Sequence, residues 1–496
     1  MNSYQEGETP SVIPRDLESL MNHRLANLSV EERQVLDVIS VFTEWVAFDT
    51  LSSILTMETL ELTYLCHQLC QRMLLQESTR NGELGYTLSH ERIKSILVQQ
   101  QSESARRILH LRVAQHLEAK ISRQHTPVYD RLIYHYAAGG DRLKVFQYRV
   151  LALNAYTGLS YALLPTLSES SGPQGADDTS LPAYLQALED ELASLRASAP
   201  ENPLLDDLEL TLLHSKSRYC IYSGIYSTGL DALHRLIQRS MALHDTDMLI
   251  RAHIQFLYYG IQTYDTQAME EHLNAGMSLL AGRERSAEYG IYLRLSGLLQ
   301  SMQGNYPASR SLLHQSIQTF RQLDDATKEL YAVNIAGVYN YIAESYRLEG
   351  NYPQAFQFYD QAIAHNRSLG YYPGAAVFFT NYGVAAFQYG ERDTAFQLFE
   401  HAEQIYRSSH EYSGYPITLS YLALYQSEKG EFSLAAENLR EAHRISDMLG
   451  SPWWKGITLY LSWKIRMLLE GGGLESAQLQ ALWPESPPEH CRLCLS

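Results

Sequence analysis

The chain has 496 residues, 45% of them hydrophobic, and a formal net charge of −17. This length predicts two to four domains or one long repeat array, and the excess of acidic residues predicts no direct binding to nucleic acid or to anionic membranes. Its sparse, odd set of cysteines argues against a disulfide framework and for a reducing compartment. The start of the sequence does not read as a signal peptide, and no run of about 18 apolar residues occurs, so the expectation is a cytoplasmic protein without a membrane segment.

The N-terminal part of the sequence predicts a small helical domain. Residues 1–13 are polar and predicted to be disordered, and a helix is expected over Pro14–Leu28. Ser29 and Glu32 have the spacing of a capping box, so they predict the start of the next helix. That helix carries a wide apolar face, formed by Val35, Leu36, Val38, Ile39 and Phe42.

A hairpin is expected to complete this domain. Two short apolar runs flank Asn81-Gly82, a turn sequence typical of β-hairpins, and such a hairpin is the wing of a winged helix. Further helices are predicted around Phe48–Leu55, Glu58–Arg72, His90–Gln100 and Ser102–Lys120. We therefore predict a winged-helix-like domain over residues 14–125.

The rest of the chain divides by composition and periodicity into helical segments. A stretch rich in serine, glycine and aspartate predicts a flexible loop, and a glycine run followed by prolines predicts a disordered tail. The predicted segments are a helical connector at 126–165, a flexible loop at 166–180, degenerate helical repeats at 181–282, clear repeats with a cap helix at 283–470, and the tail at 471–496.

Small residues return at fixed offsets of 7, 5 and 7 in four successive segments. Two helices that cross at close range need small side chains at the crossing and large ones beside it. The four sets are Gly297, Gly304, Ser309 and Ser316; Ala343, Gly350, Ala355 and Ala362; Gly383, Gly390, Ala395 and Ala402; and Ala423, Gly430, Ala435 and Ala442. This pattern resembles the tetratricopeptide repeat, which implies a TPR-like α-superhelix in an otherwise all-α chain.

The repeats are longer than the usual tetratricopeptide period of about 34 residues. Their turn glycines are spaced by 46, 40 and 40 residues. We expect the extra length to lie in longer helices and in loops such as Leu369–Gly374 and Ser408–Tyr415.

Four stretches of the N-terminal part resemble one family in particular. They are residues 15–42, the hairpin end Tyr86–His90, residues 106–118, and Tyr134–Gly139. They are similar to the region that follows the nucleotide-binding domain in STAND-type signal-transducing ATPases, including large LuxR-type bacterial transcriptional activators, although the family usually has phenylalanine where this chain has Leu88. The resemblance covers roughly residues 12–155 and implies the order winged helix, connector and TPR superhelix.

The family's catalytic and DNA-binding parts are not found in this sequence. No G-x-x-x-x-G-K-[ST] phosphate loop occurs, and no DNA-binding helix-turn-helix follows the repeats. The resemblance therefore implies a non-enzymatic regulatory or sensor region, as a fragment, a split gene or a stand-alone descendant, with an ATPase module in cis or in trans as a partner. The alternative is a free-standing TPR scaffold that binds proteins or peptides; a third, an enzyme with a pocket assembled in space, has no motif in its favour.

Other candidate sites have simpler structural interpretations. The recognition-helix candidate Glu58–Arg72 has one arginine and two glutamates, which disfavours DNA binding. Cys66-His67 with Cys70, and Cys491 with Cys494, have metal-compatible spacing, but core cysteines and a loose tail explain them as well, so no metal and no cofactor are predicted. A basic cluster is either a solvated face or a docking site for an acidic partner; it comprises Arg92, Lys94, Arg106, Arg107, Arg112, Lys120 and Arg123.

The concave face of the superhelix is the predicted binding site for a protein, a peptide or a small effector. Its inward positions follow from counting along the first helix of each pair; they are Arg294, Asn340, Glu344, Arg347, Thr380, Phe387 and Ser420. A carboxylate clamp of the chaperone-binding type is not expected, because the positions of its asparagines hold Leu298, Glu344, Val384 and Leu424. A mixed apolar groove suits an amphipathic helix or a small effector, unless these residues only pack against neighbouring helices.

Overall fold

The structure is a computed structural model that describes residues 21–22, 24–42, 45–80, 82–120, 129–160, 181–370, 373–409, 412, 414–450 and 452–471. The chain forms two compact units, Met1–Arg149 and Val150–Ser496. Several predictions lie outside the described residues: the disorder of 1–13, most of the helix Pro14–Leu28, the loop 166–180, the tail beyond Gly471, Arg123, and the pair Cys491 and Cys494.

The first unit combines helices with three short strands. Its elements, in chain order, are α1 (Val30–Ser40), β1 (Val46–Ala47), α2 (Phe48–Leu55), α3 (Thr59–Gln71), β2 (Leu75–Arg80), β3 (Glu83–Leu88), α4 (Glu91–Gln100), α5 (Glu103–Ala119), α6 (Tyr129–Gly139) and the start of α7 (Arg142–Ser160), whose residues from Val150 onward belong to the second unit. The helices predicted over residues 48–120 are confirmed to within one or two residues at each end.

The predicted capping box at the start of α1 is confirmed. The Glu32 backbone N–H donates to Ser29 Oγ at 3.1 Å, and the Ser29 N–H donates to Glu32 Oε2 at 2.9 Å. Glu32 also accepts a hydrogen bond from Arg72 at 2.8 Å, which ties α1 to the end of α3. The predicted apolar face of α1 is buried in the core of this unit.

The predicted hairpin is also confirmed. Strands β2 and β3 pair antiparallel, with Leu75 opposite Leu88 and Arg80 opposite Glu83. β1 pairs antiparallel with the other edge of β3, so the sheet order is β1-β3-β2. The winged-helix assignment itself stays a prediction.

The second unit is helical throughout its described residues. Its helices are α8 (Leu181–Ser198), α9 (Pro203–Tyr222), α10 (Tyr226–Ala242), α11 (Thr246–Thr263), α12 (Thr266–Leu279), α13 (Ala287–Met302), α14 (Tyr306–Arg321), α15 (Asp325–Leu330), α16 (Ala332–Leu348), α17 (Tyr352–Ser368), α18 (Pro373–Tyr389), α19 (Arg392–Ser409), α20 (Tyr415–Glu428), α21 (Phe432–Leu449) and α22 (Pro452–Gly471).

The periodic small residues lie where the helices of each pair cross. A Cβ atom on Gly383 of α18 would come within 2.6 Å of the Phe399 ring of α19, so only glycine leaves room for that ring. Ala355 and Ala402 are fully buried. The TPR-like α-superhelix expected from the sequence is therefore confirmed.

The turns between paired helices use left-handed backbone. Gly304, Gly350, Gly390 and Gly430 have φ between 81° and 104°, a region that glycine adopts without steric cost. The 46-residue spacing has a cause that the sequence did not reveal, because the extra helix α15 lies between α14 and α16. The predicted loop after α17 is shorter than expected, since α18 already begins at Pro373.

The first helices of successive pairs form the inner row of the superhelix. In the order α9, α11, α13, α16, α18 and α20, each contacts the next. The row curves back on itself, because a Cβ atom on Gly224, after α9, would lie 2.5 Å from the carbonyl oxygen of Leu449 at the end of α21. Helix α11 also contacts the last helix, α22.

Candidate functional site

The predicted site residues lie on the first helices of their pairs, and most of them bridge two or more of these helices. Asn381 Nδ2 donates to Asn340 Oδ1 at 3.1 Å, which links α18 to α16. The Thr380 and Thr418 hydroxyls lie 2.7 Å apart and link α18 to α20. Ser420 donates to the Pro416 carbonyl of its own helix at 2.7 Å. Asn340, Thr380 and Ser420 are nearly or fully buried, so they serve packing in this structure, and a partner-binding role for them stays a prediction.

Glu344 and Arg347 form a paired charge cluster on α16. Two nitrogens of Arg347 donate to the Glu344 carboxylate at 2.9 and 2.7 Å, and Arg347 also donates to Gln388 of α18 at 2.9 Å. The Tyr359 hydroxyl donates a short hydrogen bond to the same carboxylate. Burial opposes the charge of Arg347, but Glu344 more than compensates and raises the pKa of Arg347.

Phe387 of α18 lies in an aromatic contact rather than in open space. Its ring meets that of Tyr421 of α20 edge-on, with centroids 5.2 Å apart, and the Arg392 guanidinium lies 3.6 Å from its ring centroid. Burial raises the pKa of Tyr421 to about 12. On the inner face from α16 to α20, Glu344 and Arg347 thus pair with each other, and the rings of Phe387 and Tyr421 pack together.

Arg294 on α13 has a different environment. It is fully buried, and its Nη2 and Nη1 donate to the hydroxyls of Tyr258 and Tyr341 at 3.3 and 3.4 Å. These tyrosines belong to α11 and α16, so Arg294 bridges three successive first helices. Its Nε has no hydrogen-bond partner.

Two further arginines lie on the neighbouring first helices. Arg218 of α9 donates to the Asn154 carbonyl and the Thr157 hydroxyl, both at 3.2 Å, and its Nη2 lies 3.2 Å from His214 Nδ1. Burial lowers the pKa of Arg218 to about 10, and the nearby Arg251 of α11 also lowers it. Arg251 itself is exposed.

Arg218, Arg251 and Arg294 form what we call the unpaired arginine cluster. Within the part of the chain that the structure describes, none of the three forms an ion pair with an aspartate or glutamate, whereas Arg347 does. Tyr331 joins the cluster electrostatically: burial raises its pKa, Glu288 raises it further, and Arg251 and Arg218 lower it. This sector presents guanidinium and hydroxyl donors without an opposing carboxylate in hydrogen-bonding contact.

Sequence reasoning found Arg294 but missed Arg218, Arg251, Tyr258 and Tyr341. The sequence does contain a signal that Arg218 points inward. Arg218 directly follows the small residue Ser217, just as the predicted inward residue Glu344 directly follows Ala343. Ser217 precedes the turn at Gly224 by the same seven residues that separate Ala343 from Gly350. The α11 turn escaped notice because Tyr264 takes the left-handed conformation there, with φ 59°, where the other repeats have glycine.

The remaining candidates do not assemble into a site among the described residues. No group of three potential metal ligands is brought together there. Cys66 is a buried core residue whose thiol pKa is raised to about 12 by burial, and Cys70 is half-buried. In the basic cluster, Arg107 lies 3.6 Å from Glu103, and Lys94 lies 3.9 Å from Glu91. A cleft of about 570 Å³ lies among α19, α20 and α21, with Tyr406 and Tyr415 in its wall.

Comparison with known proteins supports the repeat fold. Residues 334–408 match the family model described as tetratricopeptide repeat. A search of curated proteins gave no match. Every described helix is too short or too polar to span a membrane.

Several solved structures are similar to this chain. One is a Signal Transduction ATPase with Numerous Domains (STAND) protein with a tetratricopeptide repeat sensor from Pyrococcus horikoshii, with TM-score 0.54 and 12% identity. The alignment covers 96% of this chain and 65% of that one, so the chain spans less than two thirds of that protein's length. At this identity the likeness shows the fold alone.

Two others are similar at lower TM-scores. A Rap protein complexed with Competence and Sporulation Factor has TM-score 0.45 and 17% identity, covering 68% of this chain and 86% of that one. The apo form of the quorum sensor NprR from B. thuringiensis has TM-score 0.33 and 16% identity, covering 54% of this chain and 79% of that one.

Proposed function

We propose that this chain is a non-enzymatic regulatory region of a STAND-type signalling protein, in which the TPR superhelix binds an effector on its inner face. The observation that carries the proposal is the uneven pairing of that face. The polar site residues predicted on α16, α18 and α20 are hydrogen-bonded within the protein, whereas α9, α11 and α13 present the unpaired arginine cluster. Uncompensated charge on a repeat scaffold costs folding free energy, so its presence on the inner face favours a ligand-binding role.

The first unit supports the STAND part of the proposal. Its element order, α1-β1-α2-α3-β2-β3, agrees with a winged helix, and the family's connector motif falls in α6. Helix α3 carries too little positive charge for a phosphate backbone, so contact with an ATPase module, in cis or in trans, suits it better than DNA. The effector-sensing role is taken from the Pyrococcus protein, whose repeats are described as a sensor.

An effector could act by shifting the chain between two arrangements. Binding changes such an equilibrium only by its difference in affinity for the two states, and a few kcal/mol are sufficient. A free-standing scaffold would bind a partner on the same inner face without any such shift.

Site-specific photocrosslinking in the full chain tests whether the inner face is the binding surface. A benzoylphenylalanine at Leu298, a half-buried inward position of α13, is compared with one at Leu434, an exposed residue of the outer helix α21. Crosslinking in lysate of the source cells should join a discrete partner at Leu298 and not at Leu434. Equal products at the two positions, or products at Leu434 alone, would count against binding on the inner face.

A further inference from the structure

We propose that the unpaired arginine cluster recognises an oxyanion, a carboxylate or phosphate group, on the effector. This inference rests on the proposed function and specifies the chemistry of its ligand. The cluster lies on one continuous stretch of the inner row, with Arg218 on α9, Arg251 on α11 and Arg294 on α13.

The hydrogen bonds of the unpaired arginine cluster leave some guanidinium N–H groups unused and place no negative charge beside the guanidinium groups. Among the described residues, the hydrogen-bond partners of Arg218 and Arg294 are all neutral: a backbone carbonyl, a histidine nitrogen or a hydroxyl. Arg251 is exposed and pairs with no carboxylate among the described residues. An arginine held by neutral acceptors keeps its full positive charge available to an incoming anion.

The two tyrosines around Arg294 extend the donor set. Because Tyr258 and Tyr341 accept hydrogen bonds from Arg294 through their oxygens, their hydroxyl hydrogens remain to be donated. No described residue accepts a hydrogen bond from either hydroxyl. Arg294 is too deeply buried to meet a ligand first, so its part is to orient and polarise these hydroxyls. The exposed Arg251 contacts the anion, and the half-buried Arg218 adds positive charge.

The electrostatic surroundings agree with this arrangement. Burial and the charge of Glu288 raise the pKa of the neighbouring Tyr331, and the charges of Arg251 and Arg218 lower it. His214 lies beside the same two arginines, and burial followed by their charges holds its pKa well below the usual value, so it adds no positive charge near neutral pH. The site therefore offers the exposed guanidinium group of Arg251 to an anion, supported by the half-buried Arg218 and by two hydroxyl donors.

Titration calorimetry of the full chain at constant ionic strength tests this. The probes are pyrophosphate, as the phosphate source, and a hexa-aspartate peptide, as the carboxylate source. Arg251→Gln removes one exposed arginine of the cluster. Arg283→Gln is the matched control, because Arg283 is also exposed and makes the same change of charge but already pairs with Asp247 at 2.6 Å.

We expect at least one probe to bind the native chain, and Arg251→Gln to weaken that binding roughly 10- to 100-fold, the usual value of a hydrogen bond to a charged group. Arg283→Gln should change the affinity by less than about twofold, as expected for an exposed, paired charge. The tighter probe identifies the source of the oxyanion. The inference is overturned if neither probe binds at up to about 10 mM, or if the two variants weaken binding equally.

Failure of this inference is distinguishable from failure of the proposed function. If neither probe binds but position 298 still crosslinks a discrete partner, the effector occupies the inner face through other chemistry. If the probes bind and no partner crosslinks on the inner face, the anion site stands and the partner-binding proposal falls.

Discussion

The two halves of the inner face use equivalent positions of the repeat in opposite ways. The residue directly after the small side chain at the helix crossing is Glu344 in α16 and Arg218 in α9. Glu344 is paired with Arg347 and receives the Tyr359 hydroxyl, whereas Arg218 has neutral partners only. The difference teaches that the repeat scaffold fixes where a side chain points, while residues one turn along the same helix and on adjacent helices decide whether its charge is satisfied.

Removing the acid from the paired half should have the largest effect. Glu344→Ala leaves Arg347, whose side chain is only 15% exposed, without its counter-ion. Loss of one partner of a buried ion pair costs about 3 kcal/mol, so the free energy of unfolding in urea should fall by that order. Glu349→Ala, which removes a more exposed pair with Arg310, should cost less than about 1 kcal/mol; equal losses would show that Glu344 and Arg347 are not a buried pair.

The two halves meet again where Gly224 packs on the end of α21. Gly224 has φ 75°, and an alanine Cβ would approach the Leu449 oxygen to 2.5 Å, so Gly224→Ala adds a backbone clash to left-handed strain. We expect a loss of about 2–3 kcal/mol in unfolding free energy. Gly304→Ala has the same left-handed strain with open space around it and should cost about 1 kcal/mol. Similar losses for both variants would indicate that the ends of the row do not touch in solution.

A smaller effect, a pH dependence of the unfolding free energy, is expected from the arginine half of the inner face. His253 and His272 pair across α11 and α12 at 2.9 Å, and burial, followed by the charge of His253, lowers the pKa of His272 to about 4. The pKa of His272 in the folded state lies below its unfolded-state value of about 6.5. The contribution of neutral His272 to stability is therefore complete above about pH 6.5 and is lost as the pH falls toward 4. His272→Phe should therefore reduce the decrease in unfolding free energy between pH 7 and pH 4.5.

The exposed His401 on α19 provides the control for the pH experiment. His401→Phe should leave the pH dependence of unfolding unchanged. The assignment to the His253–His272 pair is contradicted if both variants change the slope equally.

The sequence predicted what depends on local or periodic constraints. The capping box at Ser29 and the close crossing at Gly383 each need one particular kind of side chain at a fixed spacing, so they can be recognised without coordinates. The paired cluster could be placed on the inner face, but its partners Tyr359 and Gln388 lie on two other helices, 15 and 41 residues further along the chain. These contacts depend on how the helices of a pair cross and how successive pairs stack, which periodicity alone does not determine.

The arginine half was missed for a specific reason. Its turns do not all use glycine, since His244 and Tyr264 adopt left-handed backbone despite their side chains. In α11, Leu257 occupies the position that holds a small residue in the clear repeats. The fixed offsets from which inward residues are counted therefore cannot be recognised there. Helix α15 was missed as well, because six residues are too few to show helical periodicity.

The most direct test of the account measures the rise in melting temperature that pyrophosphate causes in the native chain and in Arg294→Met. Removing a buried, uncompensated charge should leave the ligand-free protein as stable as before or more stable, by about 1 kcal/mol. Pyrophosphate should stabilise the native chain by mass action and stabilise Arg294→Met much less. An Arg294→Met protein that is strongly destabilised without ligand, or that gains as much from pyrophosphate as the native chain, would contradict an anion site built on unpaired arginines.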